Sequence, residues 1–366
     1  MTTTTHDPTA PASDHVDPKA IEAFAGQIFG YYTGGMLTFM IDIGQRTDLF
    51  PALADGPATS DELARRTGLH ERYVREWLGA LTTGGVLTYE PADTTYALPP
   101  AHAPCLTGSG ADDLSPVSRL ATHLAKHVDA VTDAFRRGGG VSYEHYRPEF
   151  TDVMDGLSRG KLDELLLSEW LPLAPGLAER LAAGARVADI GCGTGHAIVL
   201  MAQAYPDSTF IGYDIAADAL AAGRAEARAL GVTNVRFEQR DVAELIVDEP
   251  FDLVVVFDAI HDQVAPETVL QRMHDALTPG GQLFMVDINA ASDIADNLDH
   301  PLAPFLYATS VLHCMTISLA HDGAGLGTVW GRQLARQMLT DAGFIDVVDH
   351  DAPGDPFDAI YIARRR

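Results

Sequence analysis

The chain has 366 residues, 46% of them hydrophobic, and a formal net charge of −26 at pH 7. That length accommodates two domains with a sizeable core. The mean hydropathy of +0.02 and the lack of a long apolar run exclude a membrane-spanning helix, and so acidic a surface is repelled by nucleic-acid phosphates. Residues 1–20 read as a disordered tail. Met1–Pro8 has neither a basic nor an apolar stretch, so no secretory signal is expected there. Cys105, Cys192 and Cys314 are too few and too scattered for a disulfide framework or a cysteine metal cage. A cytoplasmic location and no membrane partner are the expectations.

Residues 21–105 read as a winged-helix-like domain. Ser60–His70 and Glu71–Leu78 have helix-turn-helix grammar, with Gly68 at the turn. Val86–Tyr89 and Tyr96–Leu98 suit the strands of a wing. Residues 55–105 hold four Arg and seven Asp/Glu, and Glu71 and Glu76 lie on the second helix. Such a segment repels DNA, so dimerisation is the expected role. Ile28, Phe29, Met36, Leu37, Phe39, Met40 and Ile43 are more apolar surface than one small domain readily hides. A homodimer is therefore expected.

Residues 106–180 read as a helical linker and active-site cover. They are interrupted by Gly138-Gly139-Gly140 and an aromatic run that includes Tyr143, Tyr146 and Phe150. A loop packed over a site and a flexible connector both fit that composition.

Residues 181–366 carry the most specific signals. Val187–Ile190 reads as a buried strand, and Gly191-Cys192-Gly193-Thr194-Gly195 as a tight turn that opens a helix at His196. Glycine lets backbone N–H groups approach a ligand closely. The dinucleotide fingerprint G-x-G-x-x-G would need a small residue where His196 stands, so NAD and FAD are disfavoured. A second strand ends at Asp214, 19 residues past Gly195, where a carboxylate meets ribose hydroxyls in Rossmann-like units. A third leads to Asp241, placed for an adenine amino group. Phe251–Phe257 is apolar enough for a fully buried parallel strand. A helix over Pro266–Leu277 and a strand over Gln282–Asp287 follow. The alternation predicts an open α/β sheet with its ligand at the strand C-termini.

In this order the motifs resemble class I S-adenosylmethionine-dependent methyltransferases. The resemblance implies a Rossmann-like fold and S-adenosylmethionine held by Asp189, Gly191, Gly193, Gly195, Asp214, Asp241, Val242 and Phe257. The segment Met36–Leu81 resembles the N-terminal domain of actinobacterial methyltransferases, and the same fused arrangement occurs in small-molecule O-methyltransferases. The fold expected is thus an α/β, Rossmann-like methyltransferase domain behind a mostly helical winged-helix dimerisation domain.

Two histidine-bearing segments then face the reacting end of the cofactor. His261-Asp262 follows the fourth strand, and His313 lies in the apolar stretch Phe305–Met315. His261-Asp262 matches the His-Asp-Trp element of small-molecule O-methyltransferases, except that Gln263 replaces the Trp. Two histidines and a carboxylate also fit a facial metal triad. His261, Asp262 and His313 together resemble the metal-dependent C-methyltransferases of nonribosomal-peptide pathways. That resemblance implies one metal ion, iron or else zinc, and C3-methylation of a hydrophobic α-keto acid such as 4-methyl-2-oxopentanoate or phenylpyruvate through a chelated enolate. Arg147 is the candidate anchor for the substrate carboxylate. The alternatives are a metal-free O- or N-methyltransferase with His261 as general base, and a ligand-sensing regulator, against which the acidic N-terminal half counts.

Overall fold

The computed structural model describes residues 16–108 and 110–366. It divides into two compact units, residues 1–97 and 98–366. The tail expected over residues 1–20 lies mostly outside the described residues, and a helix already begins at Pro18.

In the first unit the helix Pro18–Arg46 is capped by Asp17, whose side chain accepts from the Lys19 N–H. Helices Ser60–Thr67 and Glu71–Thr83 form the helix-turn-helix, and Gly68 makes the turn at φ +70°. Thr59 and Glu62 form a reciprocal capping box at its start. Strands β1 (Thr88–Glu90) and β2 (Thr95–Ala97) pair antiparallel as the wing. The acids on the second helix are matched locally: Glu71 pairs with Arg75 and Glu76 with Arg72. The long first helix keeps Phe24, Phe29, Tyr32 and Met36 at least 60% exposed.

The second unit is built on a seven-stranded sheet. Its strands are β3 (Arg186–Ile190), β4 (Thr209–Asp214), β5 (Val235–Gln239), β6 (Phe251–Phe257), β7 (Leu277–Ile288), β8 (Ile345–Asp351) and β9 (Asp358–Arg364). The order is β5-β4-β3-β6-β7-β9-β8, and β9 runs antiparallel to both neighbours. The last two strands are an addition to the sequence reading. Side chains alternate between two cores. Ala188, Val254, Val256 and Met285 pack on one face, and Val187, Leu253, Val255 and Phe284 on the other. Burial on both faces is what a parallel sheet covered by helices requires.

The glycine-rich aromatic segment is packed rather than loose. The Val141 N–H donates to Thr316 Oγ1 at 3.0 Å, and Tyr146, wholly buried, donates its hydroxyl to the Leu312 carbonyl at 2.7 Å. A Cβ on Gly140 would stand 1.8 Å from the Thr316 carbonyl oxygen. Gly140→Ala should therefore lower the stability of this unit by about 1–3 kcal/mol, as overpacking does. Denaturant unfolding of the full chain, followed by the fluorescence of Trp170 and Trp330, checks it.

Candidate active site

The glycine turn follows β3 directly. Gly191, Gly193 and Gly195 all have positive φ, at +69°, +55° and +72°. A Cβ on Gly193 would meet nothing within 4 Å, so its open side is the cavity itself. A Cβ on Gly195 would stand 2.3 Å from the Phe237 ring. Gly195 is thus required by packing beneath the turn, and it does not line the cavity.

This first cavity, of about 420 Å³, is lined by Asp189, Gly191, Gly193, Asp214, Asp241, Val242 and Phe257. Every cofactor residue expected from sequence except Gly195 therefore faces it. Asp214 accepts from the Gly193 N–H and the Ala216 N–H, both at 2.8 Å, which ties the second strand end to the turn. Burial raises the Asp214 pKa, and these two N–H donors oppose the rise. Burial also holds Asp189 well above the carboxylate range, and its Oδ1 has no partner. Asp241 caps the short turn after β5 through the Ala243 N–H.

A second cavity, of about 710 Å³, adjoins the first. The two share Phe150, Met154, Lys161, Asp258, Asp262 and Asp358 in their walls. His261 faces the larger cavity. Its Nδ1 lies 2.7 Å from Asp287 Oδ1, and its Nε2 lies 3.3 Å from Asp262 Oδ1. Asp287 is wholly buried and also accepts from Trp330 Nε1 at 3.0 Å and from the Ile288 N–H at 2.8 Å. Burial disfavours a charged imidazole, but Asp287 and Asp262 outweigh it and hold the His261 pKa well above its ordinary value. The result is a strongly basic ring, fixed in orientation from behind.

His313 has the opposite character. It lies in the π-helical turn Ser310–Cys314, fully buried, and stacks on Phe150 with ring centroids 3.7 Å apart. Burial drives its pKa down to about 4, against the pull of Asp262. Neither ring nitrogen has a hydrogen-bond partner.

The tightest cluster of possible ligand atoms differs from the expected triad in one member. Asp262 does sit between the two histidines, with Oδ2 3.9 Å from His313 Nδ1. Yet among the described residues the side chains whose ligand atoms gather within 4.8 Å of one another are His261, Asp262 and Cys314. His313 stacks on Phe150, and the next residue on the π-turn, Cys314, faces His261. Burial keeps the Cys314 thiol up at about 11.

Arg147, the expected carboxylate anchor, is engaged elsewhere. It lies over the Tyr143 ring and pairs with Asp218, and it lines neither cavity.

Sequence reasoning missed Lys161, Asp258, Asp287 and Trp330. Lys161 reaches Asp355 and Asp358 at 2.5 and 3.1 Å. Burial raises Asp258 to about 6, against the pull of Lys161. Asp258 and Asp287 both stand at C-terminal ends of parallel strands, which is a legible signal for site residues. Lys161 and Trp330 lie far off in the chain and carry no such mark. A further network was also missed. Thr194 donates to Asp155, and Arg159 binds both Asp155 and Glu226, so the helix Glu149–Lys161 is fastened to the glycine turn.

These features define a Rossmann-like methyltransferase fold with a mostly parallel sheet, behind a helical winged helix-turn-helix domain. Residues 181–343 match the family model of a methyltransferase domain, and residues 35–108 match that of the Rv2258c-like winged HTH domain. The chain is 35% identical over 121 residues to trans-aconitate 2-methyltransferase of Methylobacterium nodulans, a match covering 33% of this chain and 42% of that protein. It thus spans less than half the length of that curated relative. It is 26% identical to the tetracenomycin polyketide synthesis 8-O-methyl transferase TcmO of Streptomyces glaucescens, over 82% of this chain and 85% of that one. Human N-acetylserotonin methyltransferase, solved with S-adenosylmethionine, has a TM-score of 0.68 at 17% identity, covering 97% of this chain and 99% of that one. That last likeness is one of fold. Among the described residues no helix is long and apolar enough to cross a membrane.

The buried neutral histidines set a pH dependence. Burial lowers His313, His123 and His127 below their ordinary value of 6.5. An unfolded chain then takes up protons that the native chain refuses, so their contribution is full above pH 6.5 and is lost as pH falls from 6.5 toward 4. The raised carboxylates Asp189, Asp214 and Asp258 act in the opposite sense in the same window, so the histidine contribution is read as a difference. His313→Phe, which keeps the stack on Phe150 without a titrating ring, should gain in unfolding midpoint relative to the parent chain as pH falls from 6.5 toward 4. Urea titrations of both chains at half-unit pH steps measure it.

Proposed function

We propose that this chain transfers a methyl group from S-adenosylmethionine to a hydroxyl of a small molecule, with His261 as general base. The single observation that carries this reading is the His261–Asp287 pair at the wall of the larger cavity. The cofactor fits the residues present. The Gly193 cradle is open where a Cβ would intrude, and Asp189 keeps a buried oxygen without a partner. Gly191, Gly193, Asp214, Asp241, Val242 and Phe257 would hold it. When bound, it supplies a sulfonium methyl as the electrophile.

The chain's own residues do the rest. Asp287, backed by Trp330, keeps His261 Nδ1 as a donor and leaves Nε2 to take the acceptor's proton. As the hydroxyl takes up the methyl group it would lose its proton to His261 Nε2. Asp262, 3.3 Å away, stabilises the imidazolium that results. Phe150, Met154 and Phe305 exclude water from the acceptor.

A second reading is metal-assisted transfer to an α-keto acid. One observation favours it: His261, Asp262 and Cys314 form an N/O/S donor set that suits zinc or iron. The two readings separate experimentally. Gly193→Val should abolish S-adenosylmethionine binding by calorimetry in a folded protein under either of them. His261→Gln and Asp287→Asn should keep that affinity but lose turnover by about 10²–10⁴-fold. For the base mechanism, kcat/KM should rise with pH above 6.5, because His261 acts only when deprotonated and its pKa is raised. Chelators should leave the rate unchanged. A metal-containing preparation that chelators inactivate returns the site to the α-keto acid reading.

The first unit serves as a dimerisation module in this proposal, because the helix Pro18–Arg46 leaves Phe24, Phe29, Tyr32 and Met36 in water. Light scattering should give twice the chain mass at micromolar concentration. Met36→Asp with Phe29→Asp should give the monomer mass.

A further inference from the structure

The larger cavity has an uneven charge. Among the described residues, its basic side chains other than histidine are Arg159 and Lys161. Neither is available to an incoming anion. Arg159 is held by Asp155 and Glu226 at 2.9–3.0 Å, and Lys161 by Asp355 and Asp358. Acids are in excess. Asp112 and Asp163 line it where the wall is exposed, and Asp258 and Asp262 where it is half-buried. Asp258 Oδ1 is shielded from solvent and has no hydrogen-bond partner. His261, when protonated, is matched by Asp287 and Asp262.

A second observation points independently to a ligand. His313 is 0% exposed, lines this cavity and has both ring nitrogens unpartnered. Thr328 Oγ1 is likewise buried on the same wall, beside the Cys314 thiol. Buried polar groups are normally satisfied, so the His313 nitrogens await a molecule with donors and acceptors of its own. Phe150, Phe305, Leu306 and Phe357 give that molecule an apolar surround.

We infer that the acceptor is an aromatic or apolar molecule bearing a protonated amine, held by Asp258, and that carboxylate-bearing acceptors are rejected. This inference rests on the methyl-transfer reading above and names its substrate class. A carboxylate entering here would be desolvated beside like charges with no free cation to receive it. An ammonium would gain Asp258 Oδ1 as an acceptor and the aromatic faces as cation–π partners. Neutral His313 and Thr328 would remain for hydroxyl or ether groups elsewhere on the molecule.

The test uses the full chain saturated with S-adenosylhomocysteine and four phenols matched in skeleton. They are 4-(2-aminoethyl)phenol, its N-acetyl derivative, 4-ethylphenol and 4-hydroxyphenylacetate, with binding measured by calorimetry. The amine should bind about tenfold or more tightly than the ethyl and N-acetyl members, and the carboxylate should bind worst. Asp258→Asn should shrink the amine's advantage over 4-ethylphenol. The N-acetyl member tests charge without any variant. Failure of the amine to bind at millimolar concentration, or a carboxylate that binds as tightly, overturns the inference. A carboxylate preference that arises only with added zinc or ferrous iron overturns it in favour of chelation. Methyl transfer is assayed separately with S-adenosylmethionine. Amine-selective binding with no methylated phenol keeps the inference and removes the hydroxyl-methylation reading.

Discussion

Parallel pairing of β3, β4, β6 and β7 is the constraint on which the rest depends. It brings the chain segments after Ile190, Asp214, Phe257 and Ile288 to one edge of the sheet. Each strand is buried on both faces, so a slip of its register would carry core residues out of place. The edge therefore holds its acids whether or not they are comfortable there. Asp189, Asp214, Asp258 and Asp287 stand within or just after these strand ends. Burial has already raised the pKa of Asp189, Asp214 and Asp258. A scaffold that forces carboxylates together at low dielectric can keep them only if they are protonated, paired or offered a ligand. Lys161 stands near enough to Asp258 to oppose the rise in its pKa, although it pairs with Asp355 and Asp358. The backbone N–H groups of Gly193 and Ala216 satisfy Asp214. His261, Trp330 and the Ile288 N–H satisfy Asp287 Oδ1.

How much of this was legible follows from where each residue gets its position. The glycine turn, Asp214 and the β6 segment are fixed by local sequence, because strand, turn and helix succeed one another within a few residues. Their places at the strand C-termini followed from that alternation alone. The helix-turn-helix was legible for the same reason, since Gly68 and the Thr59–Glu62 box are local devices. The antiparallel pair β8 and β9 was not. His350 and Arg364 interrupt no pattern, but the alternation of short apolar runs there does not say which sheet edge they join. Lys161, Trp330 and Cys314 reach the site from distant parts of the chain, and only packing brings them there.

The difference between His313 and Cys314 shows the limit most sharply. Both are apolar-surrounded residues one step apart on a helix, and sequence pattern favoured the histidine as a metal ligand. The turn that carries them is π-helical, and so is Leu162–Trp170 beside Lys161. Such turns shift the angular positions of side chains relative to an α-helix and recur at functional sites. On this π-turn both His313 and Cys314 line the larger cavity, although they are adjacent in sequence. His313 then makes an aromatic stack with Phe150 and contacts the ring of Tyr146, with centroids 4.8 Å apart.

The two histidines differ because their neighbours differ, although burial acts against the charged form of both. His261 has Asp287 within 2.7 Å on a directed hydrogen bond, which more than offsets its desolvation. His313 has Asp262 only at 3.9 Å and other imidazoles nearby, so desolvation wins and the ring stays neutral. One cavity wall thus offers a strong base and, a few ångströms on, a neutral donor and acceptor. The same asymmetry bears on substrate charge. A site that must leave His261 free to take a proton cannot also surround it with fixed cations, since these would depress its basicity. Acidic neighbours maintain the base, and the price is a pocket that repels anions. The acidity of the larger cavity and the basicity of His261 are two consequences of one arrangement of carboxylates at the sheet edge.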